Sequence, residues 1–180
     1  MTFTGWGCVA MNGRHVDFLL QQLSVLVVDD NAFTRKVVRS LLNNIGVKKV
    51  DEAPDGIVGL EQIRALYPDV VILDWEMPLL NGPEFVRIVR SPGVFPLPDV
   101  PIIMLSSHGE RRRIVEAVRL GVNEFLCKPV SAKTLAGRLT AILAKPRVSV
   151  RLGDYYGPEP RKLVITDEPS EESERVVIAV

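Results

Sequence analysis

The sequence predicts an α/β fold in which five βα units build one parallel sheet between two layers of helix. Three observations predict it. From Ser24 onward, short β-rich apolar runs alternate with longer segments of helical period. Two of those runs, Val70 to Leu73 and Pro101 to Leu105, are apolar without interruption, the mark of strands buried on both faces. The 180 residues, 47% apolar and 24% charged, suffice for one well-cored domain but not for two of ordinary size.

Residues 1–22 form an N-terminal extension ending in a short amphipathic piece, Val16 to Leu23, that accommodates one or two helical turns. The first strand is Val25 to Val28; Asn31 caps a helix over Phe33 to Asn44, and Gly46 ends it. Val47 to Asp51 gives the second strand and Gly56 to Leu66 the second helix. Val70 to Leu73 is the third strand, with a third helix at Pro83 to Val89. Three prolines and a glycine break the pattern over Ser91 to Pro98, which reads as a surface loop. The fourth strand, Pro101 to Leu105, leads to a helix over Glu110 to Leu120 stopped by Gly121. The fifth, Glu124 to Leu126, leads to a helix over Ala132 to Leu143 capped by Ser131. The domain therefore spans residues 23–144. Residues 145–180 turn to proline, glycine and charge, with an acidic stretch from Asp167 to Glu174, and read as a mobile tail.

Lys+Arg and Asp+Glu both count 22, so no basic excess draws the chain to nucleic acid. Cys8 and Cys127 have no metal-site or disulfide spacing, which fits a reducing compartment. No apolar run approaches the roughly 18 to 20 residues that span a bilayer. Residues 1–20 lack a basic start followed by an apolar stretch, so the expectation is a cytoplasmic protein without membrane insertion.

Ligands of open parallel sheets bind beyond the carboxyl ends of the strands. Four strand ends carry chemistry here: Asp29-Asp30 after the first, Asp74 after the third, Ser106-Ser107 after the fourth and Lys128-Pro129 after the fifth. Each alone has an ordinary explanation, such as a cap, a turn former or a surface lysine. Their joint placement on one sheet edge makes them one site. Three carboxylates crowded together raise one another's pKa, and a divalent cation resolves the repulsion. Magnesium suits such hard oxygen ligands, with Lys128 supplying the remaining positive charge.

With Asp74-Trp75-Glu76-Met77-Pro78 and Asn81-Gly82 between them, these residues strongly resemble the CheY-like receiver domain of bacterial two-component response regulators, of the stand-alone type. The resemblance covers about Leu23 to Leu143 and implies a flavodoxin-like doubly wound sheet of order 2-1-3-4-5. It implies Asp74 as phosphoacceptor and Mg2+ held by Asp30 and Asp74, by Asp29 through a water, and by the backbone carbonyl of Glu76. It implies Lys128 as charge stabiliser, and Ser106 and Phe125 as the switch pair. Lys128-Pro129 looks like the family's cis peptide. Glu76 and His108 stand where the family adjusts the lifetime of the acyl phosphate, although His108 also reads as an ordinary loop residue.

The implied partner is a histidine kinase or histidine phosphotransfer protein, and the implied chemistry is self-phosphorylation with slow self-dephosphorylation at Asp74 rather than turnover of a separate substrate. No helix-turn-helix fits residues 145–180, so output by protein contact or onward phosphotransfer is expected, through the fourth helix, fifth strand and fifth helix, a face that also serves for a homodimer. Tyr155 to Arg161 resembles the aromatic-Gly-Pro-acid-Arg tails of some stand-alone alphaproteobacterial receivers. Arg111-Arg112-Arg113 reads either as a docking face for an acidic partner or as a solvated helix face. The alternatives are a haloacid dehalogenase-type phosphohydrolase, which chain order opposes because those enzymes begin with the nucleophile whereas here the acid pair comes first, and a phosphorylation-independent scaffold.

Overall fold

The periodicities read in the chain become strands and helices in the order they occur. The computed structural model describes residues 13–160. In chain order these form α1 (Gly13–Gln22), β1 (Ser24–Val28), α2 (Ala32–Asn44), β2 (Lys49–Ala53), α3 (Gly56–Leu66), β3 (Val70–Asp74), α4 (Gly82–Val89), β4 (Ile102–Ser106), α5 (Arg111–Leu120), β5 (Glu124–Cys127), α6 (Ala132–Ala144), β6 (Ser149–Leu152) and β7 (Tyr155–Pro158). β1 to β5 make one parallel sheet in the order β2-β1-β3-β4-β5, the doubly wound flavodoxin-like arrangement.

Successive strand residues point to opposite faces, and the two cores divide accordingly. Leu26, Val28, Val71, Leu73, Ile102 and Met104 pack with Ile63, Phe85, Val86, Val89 and Ala117 of α3, α4 and α5. Val25, Val27, Val70, Ile72, Ile103 and Leu105 pack with Val38, Leu42, Leu135 and Leu139 of α2 and α6, and Leu20 extends that layer from α1. The amphipathic piece read at Val16 to Leu23 is thus a docked helix. With apolar cover on both faces, the strands are held rigidly enough to present their carboxyl ends in a fixed array.

Asn31 caps α2 by accepting from the amides of Phe33 and Thr34, and Ser131 caps α6 by accepting from the Thr134 amide. β2 begins two residues later than its apolar pattern implies. The Val47 amide donates to the Leu42 carbonyl at 3.0 Å, so Val47 closes the end of α2 and its side chain enters the core as part of that turn. The Ser91 to Pro98 connection is irregular, as its prolines require, but it is not purely a surface loop. Phe95 is only 3% exposed, sits in the core and takes the Arg64 guanidinium over its ring at 5.1 Å.

A mobile tail from residue 145 is not what the described part of that segment shows. β6 and β7 form an antiparallel hairpin packed against the C-terminal end of α5. Tyr156 donates its hydroxyl to Asp99 at 2.6 Å, and Arg147 donates to the carbonyl of Asn123 at 2.5 Å. Gly121 and Gly157 meet backbone to backbone: a Cβ on Gly121 would stand 2.8 Å from the Tyr156 carbonyl, and one on Gly157 2.8 Å from the Gly121 Cα. Beneath them the buried Arg90 donates to Gly121 O at 3.0 Å, Pro98 O at 2.5 Å and Asn123 Oδ1 at 3.0 Å. Burial pulls its guanidinium down to about 10. Composition hid this hairpin because polar side chains and glycines, not an apolar stripe, fix it. The acidic stretch at 167–174 and the first twelve residues, Cys8 included, lie outside the described residues.

Candidate functional site

Where the strand order reverses between β1 and β3, their carboxyl ends open a crevice. Asp29 follows β1 and is 1% exposed; Asp74 ends β3 and is 6% exposed, whereas Asp30 faces solvent. One carboxylate oxygen from each lies within 4.8 Å of the others. Lys128, just past β5, places Nζ 2.9 Å from Asp29 Oδ2 and 2.9 Å from Asp74 Oδ1. Four of the predicted residues thus meet in one pocket.

Backbone geometry fixes each member. Asp29 Oδ1 accepts from the Asn31 amide at 2.8 Å, which ties the acid pair to the start of α2. The Trp75 amide donates to Leu105 O and the Lys128 amide to Ser106 O, so the residues after β3 and β5 are both pinned to β4. The Lys128-Pro129 peptide is cis, as the resemblance implied. Gly82 is required because a Cβ there would come within 2.6 Å of the Asp74 carbonyl.

Burial pushes the Asp74 carboxyl above its ordinary range; bonding and attraction to Lys128 oppose this, and the Asp29 charge reinforces it. Lys128 is shifted upward as well, which for a lysine favours the charged form. Burial favours its neutral form, but its bonds to Asp29 and Asp74 prevail and raise its pKa. The two upward shifts are compatible, because Lys128 has two carboxylates to satisfy while Asp74 shares one ammonium with a like-charged neighbour. One cation is too little for three carboxylates. Hard oxygens gathered this closely, with Asp30 open to water, fit a divalent ion of the magnesium type that keeps part of its hydration shell.

Residues 25–140 match the model of the response regulator receiver domain. The chain belongs to that family. The receiver is 32% identical over 127 residues to chemotaxis protein CheY-3 of Vibrio cholerae, covering 71% of this chain and 96% of that protein. It is 34% identical over 122 residues to chemotaxis protein CheY1 of Helicobacter pylori, covering 67% and 97%. A putative response regulator from Chloroflexus aurantiacus superposes with a TM-score of 0.63 at 30% identity, over 68% of this chain and 98% of that one. Vibrio cholerae CheY4 gives 0.60 at 32% identity, over 67% and 98%. The protein is accordingly a two-component signalling protein of the phosphorelay class.

Around the receiver's acid pocket stand the remaining predicted residues. Ser106 is fully buried at the end of β4, its hydroxyl oxygen accepting from the His108 amide at 3.1 Å. Phe125 is half-buried on β5, edge-on to Trp75 with ring centroids 6.2 Å apart. The Glu76 carboxylate meets His108 Nδ1 at 3.5 Å and Arg113 Nη1 at 2.9 Å.

Two supports escaped the sequence reading. Arg35 donates to the carbonyls of Asp29 at 2.7 Å and Asp30 at 3.2 Å, while Glu52 on β2 holds both Arg35 and Arg39. The i, i+4 spacing of Arg35 and Arg39 was a visible signal, but their acidic partner is identified only by strand register. Of the three arginines read as a docking or solvated face, Arg113 is the one that packs inward. Its guanidinium covers the Trp75 ring at 5.3 Å and reaches Glu76, whereas Arg111 and Arg112 are exposed.

Proposed function

We propose that Asp74 is the phosphoacceptor, taking a phosphoryl group from a phosphohistidine of a histidine kinase or phosphotransfer protein. The observation that supports this most is the Asp29, Asp30, Asp74 and Lys128 cluster at the sheet's switch point. An Asp74 carboxylate oxygen attacks phosphorus in line; the P–N bond breaks, and its electron pair stays on the imidazole nitrogen. Asp74 is the nucleophile because it ends a strand buried on both faces and is fixed in direction by the next residue, Trp75, whose amide donates to Leu105 O of β4. Lys128 holds its ammonium against Asp74 Oδ1, where it meets the negative charge of the incoming oxygens. Asp30, Asp74, the Glu76 carbonyl and, through water, Asp29 would hold Mg2+. When bound, Mg2+ supplies neutralisation of the carboxylates and of the transferring phosphoryl oxygens.

Phosphorylation at Asp74 adds one negative charge to a site that three carboxylates, one lysine and one divalent ion leave formally neutral. Ser106 then bonds a phosphoryl oxygen and Phe125 repacks inward, so that the phosphorylated state differs in shape and is selected by the phosphate. Phe125 has no hydroxyl, so the aromatic acts by packing. Water attack at the same phosphorus returns the free carboxylate slowly. Output runs by protein contact or onward phosphotransfer through α5, β5 and α6, the face that also serves for a homodimer, in the cytoplasm.

Intact-mass spectrometry after incubation with acetyl phosphate tests the chemistry. One phosphoryl adduct should form with Mg2+ and none in EDTA. An adduct independent of the metal would contradict the reading.

A further inference from the structure

The arginine that opens the third position of α5 is placed between the acid pocket and the aromatic pair. Its guanidinium lies over the Trp75 ring at 5.3 Å, and Trp75 meets Phe125 edge to face at 6.2 Å. Nη1 comes within 2.9 Å of Glu76 Oε1, close enough for an ion pair. The angle makes no hydrogen bond, and this buried nitrogen has no hydrogen-bond partner among the described residues. The same side chain lines a cleft of about 660 Å³ together with Asp30, Trp75 and Glu76, beside the pocket mouth. Arg113 is therefore a partly buried cation whose buried Nη1 keeps unspent donor capacity, held at the site's edge by one carboxylate that is itself half-exposed.

We propose that Arg113 is a positioning residue that senses the phosphoryl group: it exchanges Glu76 for a phosphoryl oxygen and carries the change through Trp75 to Phe125. The inference rests on Asp74 being the phosphoacceptor. Lys128 is already shared between Asp29 and Asp74, so among the described residues the charge added by phosphorylation has no further lysine ion-paired to those carboxylates. Arg113 lines the cleft that Asp30 and Glu76 share, and a guanidinium binds phosphate oxygens in a fork that an ammonium cannot make. A dianion also outcompetes a half-solvated carboxylate for it. His108, 3.5 Å from Glu76 Oε1, is left to take up the released carboxylate. When the guanidinium moves, the ring it covered gains freedom, and Phe125, whose edge contact depends on that ring, is free to repack. The N-terminal turn of α5 moves with its arginine, linking the pocket to the proposed output face.

The test uses full-length protein carrying Trp6→Phe, so that Trp75 is the one tryptophan, titrated with beryllium fluoride and Mg2+ as a phosphoryl mimic. Trp75 emission should change on saturation. Arg113→Ala should bind the mimic at least tenfold more weakly, with the emission change lost. Arg113→Lys should recover part of the affinity and little of the emission change. Glu76→Gln should tighten binding, and this gain should vanish in the Glu76→Gln, Arg113→Ala double variant, a coupling that a merely structural arginine would not show. Unchanged affinity and emission response in Arg113→Ala would overturn the proposal. Failure of the Trp6→Phe parent to bind the mimic, together with absence of an acetyl phosphate adduct on wild type, would overturn the Asp74 assignment and this proposal with it.

Discussion

Lys128 Nζ stands 2.9 Å from Asp74 Oδ1, joining the end of β5 to the end of β3 across the intervening strand β4. The same ammonium also bonds Asp29, so a single side chain gathers groups from three strand ends.

Replacing that lysine should therefore affect both stability and signal. Lys128→Ala leaves two buried carboxylates facing each other, at a cost of about 1–3 kcal/mol to the metal-free fold, less than for a fully buried pair because Lys128 is partly solvated. Because its folded pKa is raised, the lysine's contribution is fully present below its unfolded pKa and declines as pH rises through the folded value. Urea unfolding at pH 7 and above pH 10.5 should show the variant's deficit shrinking at the higher pH. Acetyl phosphate should still label it at a reduced level, without the Trp75 emission change.

Asp74 has the opposite consequence. Burial raises its folded pKa, so its contribution is greatest below the ordinary carboxylate range and is lost as pH climbs through the raised value. At neutrality, ionised Asp74 opposes folding when no metal is bound. Asp74→Asn should melt above wild type in EDTA at pH 7, each kcal/mol being worth about 2–4 °C at this size. Adding Mg2+ should stabilise wild type by about 2.7 kcal/mol at a hundredfold excess over Kd, and the variant by much less. Calorimetric melting with and without the ion would check both.

Glu52 is set for acid sensitivity. Burial alone would raise its carboxyl, but hydrogen bonds and attraction from Arg39 and Arg35 prevail and lower it. Its contribution is thus present above the unfolded pKa and lost as pH falls through the folded one. Glu52→Gln should unfold more readily than wild type at pH 7, and the two should converge in acid. Because Arg35 also holds the Asp29 and Asp30 carbonyls, the variant should bind Mg2+ more weakly by titration calorimetry.

The C-terminal hairpin gives a prediction independent of the acid pocket. Gly121 has φ +88 and its missing Cβ makes room for the Tyr156 carbonyl. Gly121→Ala should cost about 1–3 kcal/mol in urea unfolding. Tyr156→Phe, which removes only the bond to Asp99, should cost about 1 kcal/mol.

Much of this structure was legible in the chain, for identifiable reasons. Val70 to Leu73 announced β3 because a strand covered on both faces needs no polar alternation, and Asp74 was conspicuous as the acid that such a run drives into. Asn31 and Ser131 declared their helices because capping is local chemistry. What failed to show depends on groups brought together by folding. Arg113 looked like one of three equivalent arginines until α5 was set beside Trp75, and Arg35 showed no role until its helix faced Glu52. The hairpin at 149–158 was missed because its anchor, Arg90, lies far away in sequence and looks like an ordinary charged residue at a helix end.

The most direct test of the central claim is to locate the phosphoryl group. Protein labelled with acetyl phosphate and Mg2+, reduced with borohydride and digested for tandem mass spectrometry, should carry homoserine at position 74 and at no other aspartate. Homoserine at position 29 or 30 with an intact Asp74 would contradict the account.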